Sequence, residues 1–181
     1  MQELIIDSIR VGLRHYRRVV VLREKDTERY LTIWIGADVA DAIAFRLQDI
    51  TVARPQTHDL MMKMLEDLGG TVESVEVNDL KEDTFYAVIH VKQGDKVVDI
   101  DSRPSDAIAI AVRAAVPIYV SDEVMARAGI VLDEDGQPVE DVADEAERRP
   151  APPTAEELER LSVFRDFVSG LDLDDLGPAD R

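Results

Sequence analysis

The tetrapeptide Asp-Ala-Ile-Ala occurs twice in this chain of 181 residues, at 41–44 and again at 106–109. Each copy follows two apolar segments that have the alternating pattern of half-buried strands. From the tetrapeptide onward the apolar spacing becomes helical. The repeated order of strand, turn, strand and helix predicts a duplicated unit. It therefore predicts an α+β fold, in which mixed or antiparallel sheets share a core with the helices.

The same patterning predicts the other elements. We expect strands at 2–12, 18–23, 29–35, 71–79, 85–92, 96–101 and 117–120, and helices at 37–47, 57–68, 107–115 and 121–127. Thr57 and Ser105 are the predicted N-caps of two helices, because a hydroxyl can accept an orphan N–H of the first turn. An apolar face for the second helix is predicted from Leu60, Met61, Met64, Leu65 and Leu68.

Composition divides the chain into a main domain and an acidic C-terminal part. We predict a domain over 1–130, a linker over 131–153, an amphipathic helix over 154–171 and a frayed tail over 172–181. Thr154 and Glu157 form a capping box at the start of that helix. A single helix of this length is marginal in water, so it should dock on its own domain, on a second copy or on a protein partner.

Charge and cysteine content limit the possible functions. The chain has 38 acidic and 21 basic residues, and its net charge of −17 repels nucleic acid and anionic membranes at long range. A nucleic-acid role therefore requires a local basic patch, a metal or a partner. The absence of cysteine excludes disulfides and thiolate catalysis and fits the cytoplasm. No apolar run is long enough to predict a membrane span.

The segment Arg54-Pro55-Gln56-Thr57-His58-Asp59 combines a guanidinium, an imidazole and a carboxylate at a predicted helix N-terminus, which is a ready anion site. Arg54 could hold a phosphate, and His58 could act as general acid or base. The alternative is a capped helix in which Arg54 bonds to backbone carbonyls or an acid.

A second polar group precedes the helix that carries the repeated tetrapeptide: Asp99, Asp101, Arg103, Ser105 and Asp106. Asp99 and Asp101 are two apart on a strand and share one face. With further oxygen ligands they could bind Mg²⁺ or Mn²⁺. The alternative is a sheet end neutralised by Arg103. Motifs for an organic cofactor, such as a glycine-rich phosphate loop, are missing from the sequence.

These residues lie in a chain that resembles the bifunctional nuclease domain family over roughly residues 1–127. The resemblance is carried by the motifs at 20–24 (VVLRE), 30–36 (YLTIWIG), 54–60 (RPQTHDL), 85–87 (FYA) and 101–109 (DSRPSDAIA). It implies an α+β fold and cleavage of DNA and RNA. One departure is Asp49, where the resemblance leads us to expect a small residue, often glycine.

The resemblance makes a metal-dependent nuclease the leading hypothesis. Motif chemistry then nominates catalytic, phosphate-binding and metal-binding groups. The catalytic candidates are His58, Asp59, Asp101 and Asp106, the phosphate-binding candidates are Arg54, Arg103, Thr57 and Ser105, and the metal candidates are Asp99 and Asp101.

Two other hypotheses remain open, a non-catalytic protein-interaction module and a small-anion-binding module. A homodimer is predicted from edge strands, from Trp34, which is expected in the core or at an interface, and from the apolar helix 154–171.

Overall fold

The computed structural model of the chain describes residues 1–11 and 17–132. The predicted helix 154–171, the tail 172–181 and all but the first two residues of the predicted linker lie outside the described residues. Within them, no helix is long and apolar enough to cross a membrane.

Eight strands and four helices are present in the described residues. The strands are β1 (Gln2–Val11), β2 (Arg18–Glu24), β3 (Arg29–Ile35), β4 (Gly70–Lys81), β5 (Thr84–Gln93), β6 (Lys96–Ser102), β7 (Ile118–Val120) and β8 (Ile130–Val131). The helices are α1 (Ala37–Leu47), α2 (Thr57–Asp67), α3 (Pro104–Ala114) and α4 (Asp122–Ala128). The predicted bounds of β3 and α1 are confirmed.

The strands form one mixed sheet in the order β6-β5-β4-β7-β1-β2-β3-β8, in which β4 and β7 pair in parallel and the other neighbours are antiparallel. The α+β fold is thus confirmed. Helix α3 contacts β3, β4 and β5, although β7, β1 and β2 stand between β3 and β4. The sheet therefore curls around α3, whose residues 107–111 are almost completely buried.

The two hairpin-and-helix units occupy matching places in this sheet. In the strand order, β1-β2-β3 and β4-β5-β6 are two meanders that run outward in opposite directions from β7. Each meander is followed by a helix with the Asp-Ala-Ile-Ala tetrapeptide, and these helices, α1 and α3, contact each other. This arrangement agrees with a duplicated unit. That the two units arose by duplication stays a prediction.

Both predicted hydroxyl caps are wrong. The N-cap of α2 is Gln56, which forms a capping box with Asp59, so Thr57 is already the first helical residue. The N-cap of α3 is Arg103, and Pro104 occupies the first turn, where its missing N–H costs nothing. Helix α3 therefore starts at Pro104, three residues earlier than predicted, and both hydroxyl residues lie inside their helices.

The predicted packing of α2 is also wrong. Leu65 and Met62 pack against the core, but Leu60, Met64 and Leu68 are each more than half exposed. Of the two places expected for Trp34, the core is excluded because the residue is 47% exposed, and an interface stays a prediction. The guanidinium of Arg17 lies 5.9 Å from the centre of its ring.

Asp49 and Ala115 adopt left-handed backbone conformations, in which glycine is the usual residue. Asp49 has φ 52°, which explains why a glycine is expected there, and aspartate is among the residues that tolerate this region. Ala115 caps α3 at φ 54°, and its N–H donates to the carbonyl of Ala111. Alanine has no side-chain hydrogen bond to offset the steric cost of this conformation.

Replacing Ala115 with glycine is therefore expected to raise the free energy of unfolding by about 1 kcal/mol, because glycine removes the Cβ clash. The matched control is Ala114→Gly one residue earlier inside α3, which should lower it by about 1 kcal/mol. Urea denaturation measures both. Equal destabilisation by the two glycines would contradict the argument.

Candidate active site

The entrance of α3 holds a bidentate ion pair. Arg103 Nε donates to Asp106 Oδ2 at 2.7 Å and Arg103 Nη2 donates to Asp106 Oδ1 at 3.1 Å, across the first helical turn. The Arg103 side chain is 74% exposed, whereas that of Asp106 is 22% exposed. Burial by itself would raise the pKa of Asp106, but the hydrogen bonds from Arg103 and His58 outweigh it and hold that pKa below its ordinary value.

The imidazole of His58 connects α2 to this pair. His58 Nε2 lies 3.2 Å from Asp106 Oδ1, and the His58 side chain is buried. Because an ionised carboxylate only accepts hydrogen bonds, Nε2 is the protonated nitrogen and donates to Asp106. The two predicted helix entrances thus meet through His58 and Asp106.

Asp59 belongs to a separate cluster on the other side of α2's first turn. Its Oδ2 accepts from the backbone N–H of Gln56 at 2.8 Å and its Oδ1 accepts from Arg113 Nε at 2.6 Å. Burial opposes ionisation of Asp59, but the hydrogen bonds from Arg113 and Gln56 prevail and lower its pKa. Through these contacts Asp59 ties the first turn of α2 to α3.

Arg113 is the residue of this cluster that sequence reasoning missed. Its guanidinium also donates to Gln56 Oε1 at 2.9 Å and to the carbonyls of Ala42 and Ala109 at 3.3 and 3.0 Å, so it joins α1, α2 and α3. The sequence does contain a signal for it: Arg113 is the charged residue of the predicted helix 107–115, which is otherwise apolar.

The other phosphate candidates differ in accessibility. Arg54 and Thr57 are exposed at the entrance of α2, whereas Ser105 is buried in the first turn of α3. Ser105 is therefore not placed to contact a large substrate. Asp38, in the first turn of α1, is a further neighbour: after the hydrogen bond and charge of Asp106, its charge also raises the pKa of Arg103.

Asp99 and Asp101 share one face of β6, as predicted, but they do not join the His58–Asp106–Arg103 group. They pair with His90 and Val88 of β5, whereas Ile89 between them faces the core. The two carboxylates therefore lie on the face of the sheet opposite to the helices. Asp99 Oδ1 is 2.8 Å from His90 Nδ1, and His90 Nε2 lies 3.6 Å from Glu76.

The described residues contain no group of three or more His, Asp or Glu side chains arranged to hold a metal ion. A pair of carboxylates alone is a minimal site, since Mg²⁺ is often held by one or two protein carboxylates together with substrate phosphates. Asp99 and Asp101 fit such a shared site but not an all-protein cage.

The fold and these side chains define an α+β domain with a polar cluster between two helix entrances. The chain belongs to the bifunctional nuclease domain family, whose profile matches residues 20–133. An uncharacterized protein of Mycobacterium tuberculosis is 38% identical over 169 residues, which cover 93% of this chain and 96% of the relative.

Two plant relatives share the family domain but are much longer than this chain. Bifunctional nuclease 2 of Arabidopsis thaliana is 33% identical over 106 residues, or 57% of this chain and 32% of the relative. Bifunctional nuclease 1 of Oryza sativa subsp. japonica is 25% identical over 118 residues, or 64% of this chain and 36% of the relative. The match is thus confined to about one third of each plant protein.

Proposed function

We propose that this protein hydrolyses phosphodiester bonds of DNA, RNA or both. Membership of the bifunctional nuclease domain family supports the proposal. The observation that carries it is the array of His58, Asp106 and Arg103, in which an exposed cation adjoins a carboxylate–imidazole pair.

Arg103 is the proposed phosphate ligand. Its contacts with Asp106 use Nε and one N–H of Nη2, so the remaining guanidinium donors are available to phosphate oxygens. Arg54 is exposed at the neighbouring entrance and supplies a second cation. Local cations of this kind are needed because the net charge of −17 repels a polyanion.

The proposed proton-transfer group is the pair of His58 and Asp106. Asp106 orients the imidazole, and it is the more exposed member and so the one better placed to meet water. Asp59 would act indirectly, by fixing the first turn of α2 and hence the position of His58.

A divalent cation, Mg²⁺ or Mn²⁺, completes the proposal. Such an ion supplies charge neutralisation at the phosphate and lowers the pKa of a bound water. Asp101 and Asp99 are the proposed protein ligands, and they would share the ion with phosphates of the nucleic acid. Because both carboxylates lie on the face of the sheet opposite to the helices, a separate variant, Asp101→Asn, tests their role.

Cleavage of labelled single-stranded DNA, double-stranded DNA and RNA, with Mg²⁺, Mn²⁺ or a chelator, tests the proposal. Arg103→Gln and Asp106→Asn are expected to lower the cleavage rate by about 10- to 100-fold, the range of a lost proton-transfer or charge-stabilising group. Arg46→Gln, an exposed arginine in the last turn of α1, is the matched control and should cleave like the parent.

Failure of the purified protein to cleave any substrate with either metal would refute the proposal. Equal activity of the parent and the two site variants would refute the site. Asp101→Asn tests the proposed metal ligands separately. If cleavage by this variant depends on the metal as cleavage by the parent does, Asp99 and Asp101 are not part of the site, and the proposal for His58, Asp106 and Arg103 is unaffected.

A second candidate function is a non-catalytic interaction module, favoured by the exposed apolar side chains of α2. It predicts partner binding without cleavage, and we propose the helix 154–171 as a protein-binding segment. The cytoplasm is the proposed location, on the basis of a chain without cysteine. A pull-down that loses a defined partner when 154–171 is deleted, from a protein without nuclease activity, would decide for this candidate.

A further inference from the structure

The edge strand β6 and helix α2 both carry apolar side chains that the described residues leave exposed. Strand β6 ends the sheet, so its outer row of backbone N–H and C=O groups has no strand partner among the described residues. Val98 and Ile100 lie opposite Val91 and Ile89 and so share the core face, yet they are 44% and 38% exposed.

Helix α2 runs along the same edge. At its start, His58 bonds to Asp106, four residues beyond the end of β6. At its end, the carbonyl of Leu68 accepts from Gln93, whose partner in the sheet is Lys96 at the start of β6. The two ends of α2 are therefore tied to residues that flank the two ends of β6.

One flank of α2 carries exposed apolar side chains. His58, Met62 and Leu65 point towards the core, and Asp59 points towards Arg113 on α3. At 3.6 residues per turn the exposed apolar side chains fall on the flank opposite Asp59, within about 100° of one another. These side chains are Leu60, Met61, Met64 and Leu68.

We propose that this surface, the outer flank of α2 together with the edge of β6, binds a second copy of the chain about a two-fold axis. Antiparallel pairing of the two β6 strands would continue the sheet and satisfy both open edges at once. The two α2 helices would then pack against each other above the junction. This dimer does not depend on the proposed nuclease activity.

The exposed apolar area agrees with a dimer interface. The six apolar side chains of this surface are 37–70% exposed. They offer on the order of 600 Å² per copy, close to the roughly 800 Å² per partner of a standard interface and at the upper limit of the apolar patches found on monomers.

Charge selects the register of the pairing. The helices of both copies lie on one side of the joined sheet only if residues opposite each other across the junction share a face. The two-fold axis must then pass through one residue position of β6, and that residue pairs with its own copy. Centring on Asp99 opposes the two Asp99 carboxylates, and centring on Ile100 opposes Asp99 to Asp101. Centring on Val98 places Val98 against its own copy and Lys96 against Ile100, and the only carboxylates it opposes are Asp101 and Asp95, which lies in the turn before β6.

Light scattering of the full chain is expected to give twice its mass of 20.2 kDa. Because the chain has no cysteine, a disulfide in Val98→Cys can form only between two copies. Oxidation should convert this variant to a covalent dimer, as expected for a residue beside the two-fold axis. Ile50→Cys, an equally exposed residue outside the surface, is the control and should not cross-link as a dimer.

Val98→Lys and Met64→Lys should each raise the dissociation constant by more than about 100-fold, because each buries an unpaired charge on association. Met64 is exposed on a helix, so its variant keeps the fold, which circular dichroism checks. Ile50→Lys should remain a dimer. A monomeric native chain at micromolar concentration overturns the proposal, as does a dimer that withstands both Lys variants.

Discussion

Replacing Arg113 with methionine is expected to lower the free energy of unfolding by about 3 kcal/mol, the low end of the range for breaking a buried ion pair. Only 6% of the Arg113 side chain is exposed, and its guanidinium donates to Asp59, Gln56 and two backbone carbonyls. Methionine fills the volume of the aliphatic stem but leaves these acceptors without their donor. The low end applies because Asp59 is 37% exposed and water can solvate part of its charge.

The matched control for this variant is Arg46→Met, since Arg46 lines the same small cavity beside Asp59 and Arg113 but is exposed. That change should alter stability by less than about 0.5 kcal/mol. Combining Arg113→Met with Asp59→Asn should give a coupling free energy of about 1–2 kcal/mol in a double-mutant cycle measured by urea denaturation. Equal losses from Arg113→Met and Arg46→Met would show that the cluster does not join the three helices.

The strands and helices followed from the sequence wherever one local pattern dominated. The hairpin of β2 and β3 and the helix α1 have clear apolar periods, a polar turn and a break at Gly36, so their order and most bounds were predictable. The packing of α2 was harder to predict because apolar side chains lie on two faces of this helix. Spacing shows which side chains share a flank but not which flank the sheet covers, so Leu65 of the predicted face packs against the core whereas Leu60 and Met64 are exposed.

The candidate site was predictable as two helix entrances but not as a set of contacts. His58 and Asp106 are 48 residues apart, and Asp59 and Arg113 are 54 apart, so only the sheet topology brings each pair together. The alternation of β6 correctly placed Asp99 and Asp101 on one face. Which face that is depends on how the chain turns from β6 into α3, and no local pattern in Asp99–Asp106 specifies this turn.

Replacing Asp106 with alanine is expected to lower the free energy of unfolding by about 2–3 kcal/mol at neutral pH, the cost of leaving a buried donor without its charged acceptor. The buried N–H of His58 loses its partner, whereas Arg103 remains solvated because it is 74% exposed. The main loss should therefore come from the link between α2 and α3. Asp99→Ala is the matched control, because Asp99 also bonds to a histidine but is 67% exposed, and it should cost less than about 0.5 kcal/mol.

The stability difference between the parent and Asp106→Ala should depend on pH in a defined direction. The pKa of Asp106 is lowered in the folded protein, so the stabilisation from its charge is fully present above the pKa of an unfolded aspartate, about 3.9. It is lost as the pH falls from that value through the lowered folded pKa. Urea titrations of both proteins should give a difference that shrinks as the pH falls below about pH 4. A difference that grows below about pH 4 would mean that Asp106 is not held as a carboxylate between His58 and Arg103.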